Sequence, residues 1–220
     1  MNYYTSDTHF GCQYIYDRTG RGELIKCADI TEADQKIIDN FNEVLDKNDV
    51  LYILGDVSCA DVDPTPYLEK IHCKKNLVIG NHDVKWLRHR HVTKLFRHID
   101  SYMAVREFDK KLRVVLNHYP IAEWDGYYKG HLHFYGHVHN SDSVGAQIMK
   151  RELRAANVGV DVNDYKPMTA TQLFAKRIVE MNVNVQDLIK DFEEKYAKDL
   201  SGEEFILLFE EVERLRKEKS

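Results

Sequence analysis

Acid, amide and imidazole side chains recur along this chain in one ordered series: Asp7-Thr8-His9, Gly55-Asp56, Gly80-Asn81-His82-Asp83, His118 and Gly136-His137-Val138-His139. Carboxylate oxygens, an amide oxygen and imidazole nitrogens make a mixed N/O donor set, and there are enough of them for two ions. The series therefore reads as a binuclear metal site. No thiolate belongs to it, so Mn²⁺, Fe or Zn²⁺ suits the donors and a cysteine-rich structural zinc site does not.

Each cluster closes a short apolar or β-rich run, at residues 2–6, 50–54, 76–79, 114–116 and 132–135. Ligands at the ends of successive strands converge on one sheet edge, because in open α/β sheets the crevice beyond the carboxyl ends of the strands is where loops can be specialised. The glycines before Asp56, Asn81 and His137 fit this reading, since a residue without Cβ lets the backbone turn close to an ion.

The order of these motifs over roughly residues 5 to 140 resembles the calcineurin-like metallophosphoesterase superfamily, with its Asp-x-His, Gly-Asp, Gly-Asn-His-Asp/Glu, lone His and Gly-His-x-His. The continuation through Asn157-Val158-Gly159-Val160-Asp161 and Asp164-Tyr165-Lys166-Pro167 is similar to a bacterial and phage subgroup of predicted phosphoesterases. The resemblance implies an α/β fold, the four-layer αββα sandwich of that superfamily, at residues 1–168, with a C-terminal helical extension at residues 169–220. It also implies that Asp7, His9, Asp56 and His139 hold one divalent ion while Asp56, Asn81, His118 and His137 hold the other, with Asp56 as the bridge.

The implied activity is hydrolysis of a phosphomonoester or phosphodiester by attack of a metal-bridging hydroxide, with no Ser or Cys nucleophile needed. His82 stands outside both ligand sets and is expected to contact the phosphate or protonate the leaving oxygen, with Asp83 orienting its imidazole. Two alternatives stand beside this: a narrower nucleotide or nucleic-acid phosphodiesterase, and a scaffold or sensor that keeps metals without turnover. Cys12 departs from the subgroup, where a histidine follows Phe10-Gly11; a thiol there predicts sensitivity to oxidation or soft metals.

Composition fits one main domain. The 220 residues are 43% hydrophobic and 30% charged, enough for a sizeable core and too charged for a membrane span. Asp7 lies so near Met1 that cleavage of a signal peptide would remove a ligand, so a cytoplasmic protein with Cys12, Cys27, Cys59 and Cys73 reduced is expected. A net charge of −5 argues against general coating of nucleic acid. The expected partner is a phosphoester substrate, with a nucleotide among the candidates.

The remaining chain alternates strands and helices. A helix with an N-cap at Thr31 carries Ile37, Ile38, Phe41, Val44 and Leu45 as an apolar stripe, and residues 103–108 and 112–116 flank a hairpin-like junction. From Thr169 onward the periodicity is helical, with a break near residues 201–204. Those helices are expected to cover a face of the domain, with a homodimer interface or a cap over the cleft as other uses. Arg88, Arg90 and their histidine neighbours read as a solvated helix face, Trp124, Tyr127 and Tyr128 as packing or a stacking surface, and His131 and His133 as packed rather than ligating.

Overall fold

In the computed structural model, which describes residues 1–219, the chain is mixed α/β with two four-stranded sheets. The first sheet contains β1 (Asn2–Thr5), β2 (Val50–Ile53), β3 (Lys74–Val78) and β4 (His98–Asp100), in that order and all parallel. Parallel neighbours require crossovers, which here contain α1 (Gln13–Thr19), α2 (Arg21–Leu24) and α3 (Ile30–Val44), then α4 (Thr65–Leu68), then α5 (Arg90–Thr93). Register places Tyr3 beside Leu51, Ile53 beside Leu77, and Leu77 beside Ile99.

The second sheet contains β5 (Met103–Glu107), β6 (Leu112–Leu116), β7 (Leu132–Tyr135) and β8 (Ala155–Asn157). The hairpin expected at residues 103–116 forms: β5 and β6 pair antiparallel, and Phe108, Asp109 and Lys110 turn the chain in the left-handed region. β6, β7 and β8 then run parallel, with α6 (Val144–Lys150) crossing between the last two.

Period-two alternation sorts the side chains into layers. Leu51, Ile53 and Leu77 pack with Ile37, Ile38 and Phe41 of α3. From the same sheet, Tyr4, Leu54 and Val78 join Val114, Leu116, Phe134 and Ala156 of the second sheet in a shared core. Val115, Tyr135 and Ala155 point the other way, to Trp124 and to Ala146 and Met149 of α6. Isolated bridges also join Ser6 to Gly159, just past β8, and Tyr4 to Met168.

The three C-terminal helices are α7 (Ala170–Glu180), α8 (Val185–Tyr196) and α9 (Glu203–Glu218). Their Leu173, Phe174, Ile178, Leu188, Phe192, Phe205 and Leu208 belong to the core that the two sheets share, so the extension covers a face of the same body. Its last residue, Ser220, lies outside the described residues. Thr169 opens α7 with a reciprocal capping box to Gln172, and Gly202, at φ +117°, marks the break before α9. One cap differs from expectation. Asp29, not Thr31, accepts from the Glu32 amide, while the Glu32 side chain accepts from the Ala28 amide, so α3 starts at Ile30. Among the described residues no helix is long and apolar enough to cross a membrane.

Candidate metal centre

Both sheets direct the carboxyl ends of their strands to one place. Asp7 and His9 follow β1, Asp56 follows β2, Asn81 and His82 follow β3, His118 follows β6, and His137 and His139 follow β7. Asp7, His9, Asp56, His137 and His139 all have positive φ, so each loop folds back sharply after its strand. Left-handed backbone is tolerated by Asp and His better than by most residues, yet still costs about 1 to 2 kcal/mol at each. The close approach also needs glycine: a Cβ on Gly136 would press on Ser6 Oγ and Asp7 Oδ2.

The donor atoms meet at ligand spacing. Asp56 Oδ2 lies 3.6 Å from His9 Nε2 and 3.4 Å from His118 Nε2. Asp7 Oδ1 stands 3.9 Å from the Nε2 atoms of both His9 and His139. On the other side, Asn81 Oδ1 is 3.0 Å from His118 Nε2 and 3.1 Å from His137 Nδ1. Donors bound to one ion at about 2.0 to 2.2 Å stand roughly 3 to 3.5 Å apart across a polyhedral edge, close to these separations. His9 supplies an independent test of fit. Only 1% exposed, it has a hydrogen-bond partner at neither ring nitrogen. A buried imidazole left so would lose the desolvation free energy of both atoms, whereas a cation at Nε2 satisfies one of them. The residues present therefore fit divalent cations, with Asp56 Oδ2 lying between imidazoles of two donor groups.

Neighbouring groups fix how each donor is presented. Asp56 Oδ1 accepts from the His82 amide at 2.9 Å, which turns Oδ2 inward. Asp7 accepts from Ser6 Oγ at 2.6 Å and from the His137 amide at 2.9 Å. His118 Nδ1 donates to the Leu54 carbonyl at 2.8 Å, so its Nε2 is the nitrogen that faces the centre. His139 Nδ1 likewise faces Asp161 Oδ2 at 2.7 Å. Asp161 is held in turn by Arg21 Nε at 2.9 Å, and Arg21 Nη2 donates to the Asp7 carbonyl at 2.6 Å.

The same contacts set protonation. Burial pushes the His9 imidazole down to about 3, leaving it neutral as a ligand must be. Burial would raise the Asp56 carboxyl, but hydrogen bonding and charge from His118 prevail and hold it at about 2. Burial would lower His118, yet its hydrogen bond to Asp56 and the charges of Asp7 and Asp56 outweigh that and raise it to about 9.

His82 comes to the centre and lines a cavity of about 290 Å³ with His9, Asp56, Asn81, His137 and His139. Its ring is 5.2 Å from that of His9, and its nitrogen falls within ligand range of His9 and Asp56, nearer than a purely external role requires. Asp83 is placed differently from expectation. Its carboxylate accepts the backbone amides of Gly80, Asp56 and Val57, at 2.7, 2.9 and 3.0 Å, and so ties two ligand loops together instead of orienting His82. Burial raises its carboxyl to about 7.

Sequence reasoning passed over Tyr14 and Arg18 of α1, which line the same cavity, with the Arg18 guanidinium 5.9 Å from the Tyr14 ring. It also passed over Arg21. Asp161 closes the run of residues 157–161 just after a strand, as the donor residues do, and that position was the signal for it. Trp124 is packing: its Nε1 donates to the His131 carbonyl and its ring lies against His133 and Tyr127. His133 donates to the Val115 carbonyl and accepts from the Ile121 amide, as a packed residue does. Among the basic cluster, His91 pairs with Asp63 at the surface. The cysteines require a correction: Cys12 and Cys59 are joined by a disulfide, while Cys27 and Cys73 are free. Loops that share backbone hydrogen bonds, His9 to Asp56 and Phe10 to Val57, bring the two sulfurs together despite 47 residues of separation.

No family model matches this chain. It is similar to a "Gene 66 protein" of Mycobacterium phage L5, 23% identical over 185 residues that cover 72% of this chain and 86% of the phage protein. A "Gene 66 protein" of Mycobacterium phage D29 is 24% identical over 204 residues, covering 81% of this chain and 97% of that one. Among solved structures, a protein of unknown function from Aquifex aeolicus superposes with a TM-score of 0.59 at 27% identity, over 76% of this chain and 94% of its own.

Proposed function

We propose that this protein is a binuclear metal-dependent phosphoesterase, a hydrolase with the αββα sandwich of the metallophosphoesterase type. One observation carries the reading: a single carboxylate oxygen, Asp56 Oδ2, faces imidazoles of two donor sets, His9 on one side and His118 on the other. Two divalent cations held there would supply Lewis acidity to a phosphoryl oxygen and to water. The chain's own residues do the remaining work. Asp7, His9, Asp56 and His139 form one half of the cradle, and Asp56, Asn81, His118 and His137 the other. His82, beside His9 at the cavity wall, is placed to hold a phosphoryl oxygen or give a proton to the leaving oxygen.

Tyr14 and Arg18 favour a nucleotide among phosphoesters. Tyr14 is 66% exposed at the cavity wall and offers a stacking face, while Arg18 offers a cation one helical turn on. Assay of phosphomonoesters, phosphodiesters and nucleotides with Mn²⁺, Fe²⁺ or Zn²⁺ tests the reading. Hydrolysis that requires metal and fails in Asp56→Ala supports it. Two bound ions with no turnover on any substrate class would favour a metal-holding scaffold or sensor.

A further inference from the structure

We propose that Cys12 and Cys59, once their disulfide is reduced, form with His9 a thiolate-rich site for a soft metal ion, and that this site competes with the carboxylate centre for the same imidazole. The cysteines hold equivalent places on two ligand loops: Cys12 comes three residues after His9, and Cys59 three residues after Asp56. Their Cα atoms are 5.4 Å apart. The backbone hydrogen bonds from His9 to Asp56 and from Phe10 to Val57, with the bridge between Phe10 and Ser58, do not depend on the sulfur bond. Reduction therefore leaves the two thiols side by side.

A ring nitrogen of His9 and both sulfurs lie within 4.8 Å of one another. His9 is the donor that the two sites share. It is 1% exposed and neither ring nitrogen has a hydrogen-bond partner, so the imidazole carries a second nitrogen beyond the one turned to Asp7 and Asp56. Two thiolates and an imidazole, with a fourth position open, are a donor set that Zn²⁺ accepts, and sulfur selects soft ions over Mn²⁺ or Mg²⁺. The carboxylate centre has no sulfur and uses His9 Nε2 against Asp7 and Asp56. One imidazole cannot serve both ions fully, so filling the thiolate site weakens the other.

The chemistry balances with a dithiol reductant. One of its thiolates attacks Cys59, which is partly exposed where Cys12 is buried, breaking the bond and releasing the Cys12 thiolate. The reductant's second thiol resolves the mixed disulfide, so two electrons and two protons pass to the protein and the reductant becomes a disulfide. Binding of a dication then releases the two thiol protons.

Cd²⁺ is a suitable probe, because thiolate ligation gives an ultraviolet charge-transfer band that carboxylate and imidazole do not. The full chain is titrated with Cd²⁺ in its disulfide form and after reduction by a dithiol that is then removed. Reduced protein is expected to show the band with one Cd²⁺ per chain, and the disulfide form to lack it. Cys12→Ser and Cys59→Ser should each abolish it. Comparing the two redox forms of the unaltered chain keeps the test valid even if a variant folds poorly. No band in the reduced chain, or a band that persists in the double variant, overturns the site. Competition is read by Mn²⁺ release: the reduced wild type should need roughly tenfold less Cd²⁺ than the double variant to free Mn²⁺. Equal requirements would overturn the sharing of His9. Neither readout uses turnover, so the site can fail while the proposed activity stands, and the reverse.

Discussion

Asp161 Oδ2 accepts a hydrogen bond from His139 Nδ1 at 2.7 Å, so a residue that touches no substrate fixes which nitrogen of His139 faces Asp7. Burial alone would raise the Asp161 carboxyl, but His139 and Arg21 hold it at about 2. Asp161→Asn keeps an acceptor for the imidazole and should fold, with metal affinity at the His139 side reduced about 10- to 100-fold. Both changes leave the Arg21 guanidinium, at 2% exposure, without its counter-charge, but Asp161→Ala also removes the acceptor for Arg21 and His139 and should lower stability the more, by about 3 kcal/mol. Calorimetric metal titration and thermal melting separate the two effects; unchanged affinity in Asp161→Asn would remove the orienting role.

Loss of the shared carboxylate should be the most damaging single change. Asp56→Ala is expected to bind at most one ion weakly and to lose hydrolysis, because each donor set loses Oδ2 and the two cations lose the charge between them. Metal analysis after saturation with Mn²⁺ decides it: two retained ions would refute the bridge.

His82→Ala should retain both ions while turnover falls roughly 10²- to 10⁴-fold, the range of general acid catalysis. A substrate with a nitrophenolate leaving group should lose much less rate than one with an alkoxide, which needs the proton. Equal losses would assign His82 to phosphate contact, and loss of an ion would make it a ligand.

Metal loading should release a proton from His118. Its imidazole is held to about 9 in the metal-free centre, so it is charged at neutral pH and must lose that proton to ligate through Nε2. Affinity should therefore rise with pH up to about 9 and level off above it. In the metal-free protein the sign is opposite: a folded value above the unfolded one near 6.5 stabilises fully below about 6.5, and that stability is lost as pH rises through 9. Titration calorimetry in buffers of different ionisation enthalpy measures the release. Heats that do not depend on the buffer would contradict it.

Gly136→Ala tests the backbone approach. The added methyl meets Asp7 Oδ2 and Ser6 Oγ, so Asp7 must shift. Overpacking of this kind costs about 1 to 3 kcal/mol, and metal affinity should fall with it. A variant as stable and as tightly loaded as the wild type would show that the loop has room to move.

The convergence of Asp7, His9, Asp56, Asn81, His118, His137 and His139 was legible because these residue types are rare together and each follows a β-rich run; that they hold metal is part of the proposed function. The hairpin and the C-terminal helices were legible from periodicity. Asp83 was misjudged because adjacency to His82 says nothing of direction: its side chain turns to the amides of Gly80, Asp56 and Val57. Arg21 gave no local signal, since its partners Asp161 and Asp7 are brought to it only by the packing of both sheets. The Cys12–Cys59 bond escaped for the same reason, being fixed by the pairing of two loops and not by spacing.

Left-handed backbone at Asp7, His9, Asp56, His137 and His139 has an evolutionary consequence. At each of these positions glycine would relax the main chain of the empty protein, while it would also delete a donor. Selection for a sturdier fold and selection for the centre therefore pull in opposite directions at the same five residues. On the proposed function, relatives that have lost the activity should drift there first, toward glycine and asparagine, and gain thermal stability as they do.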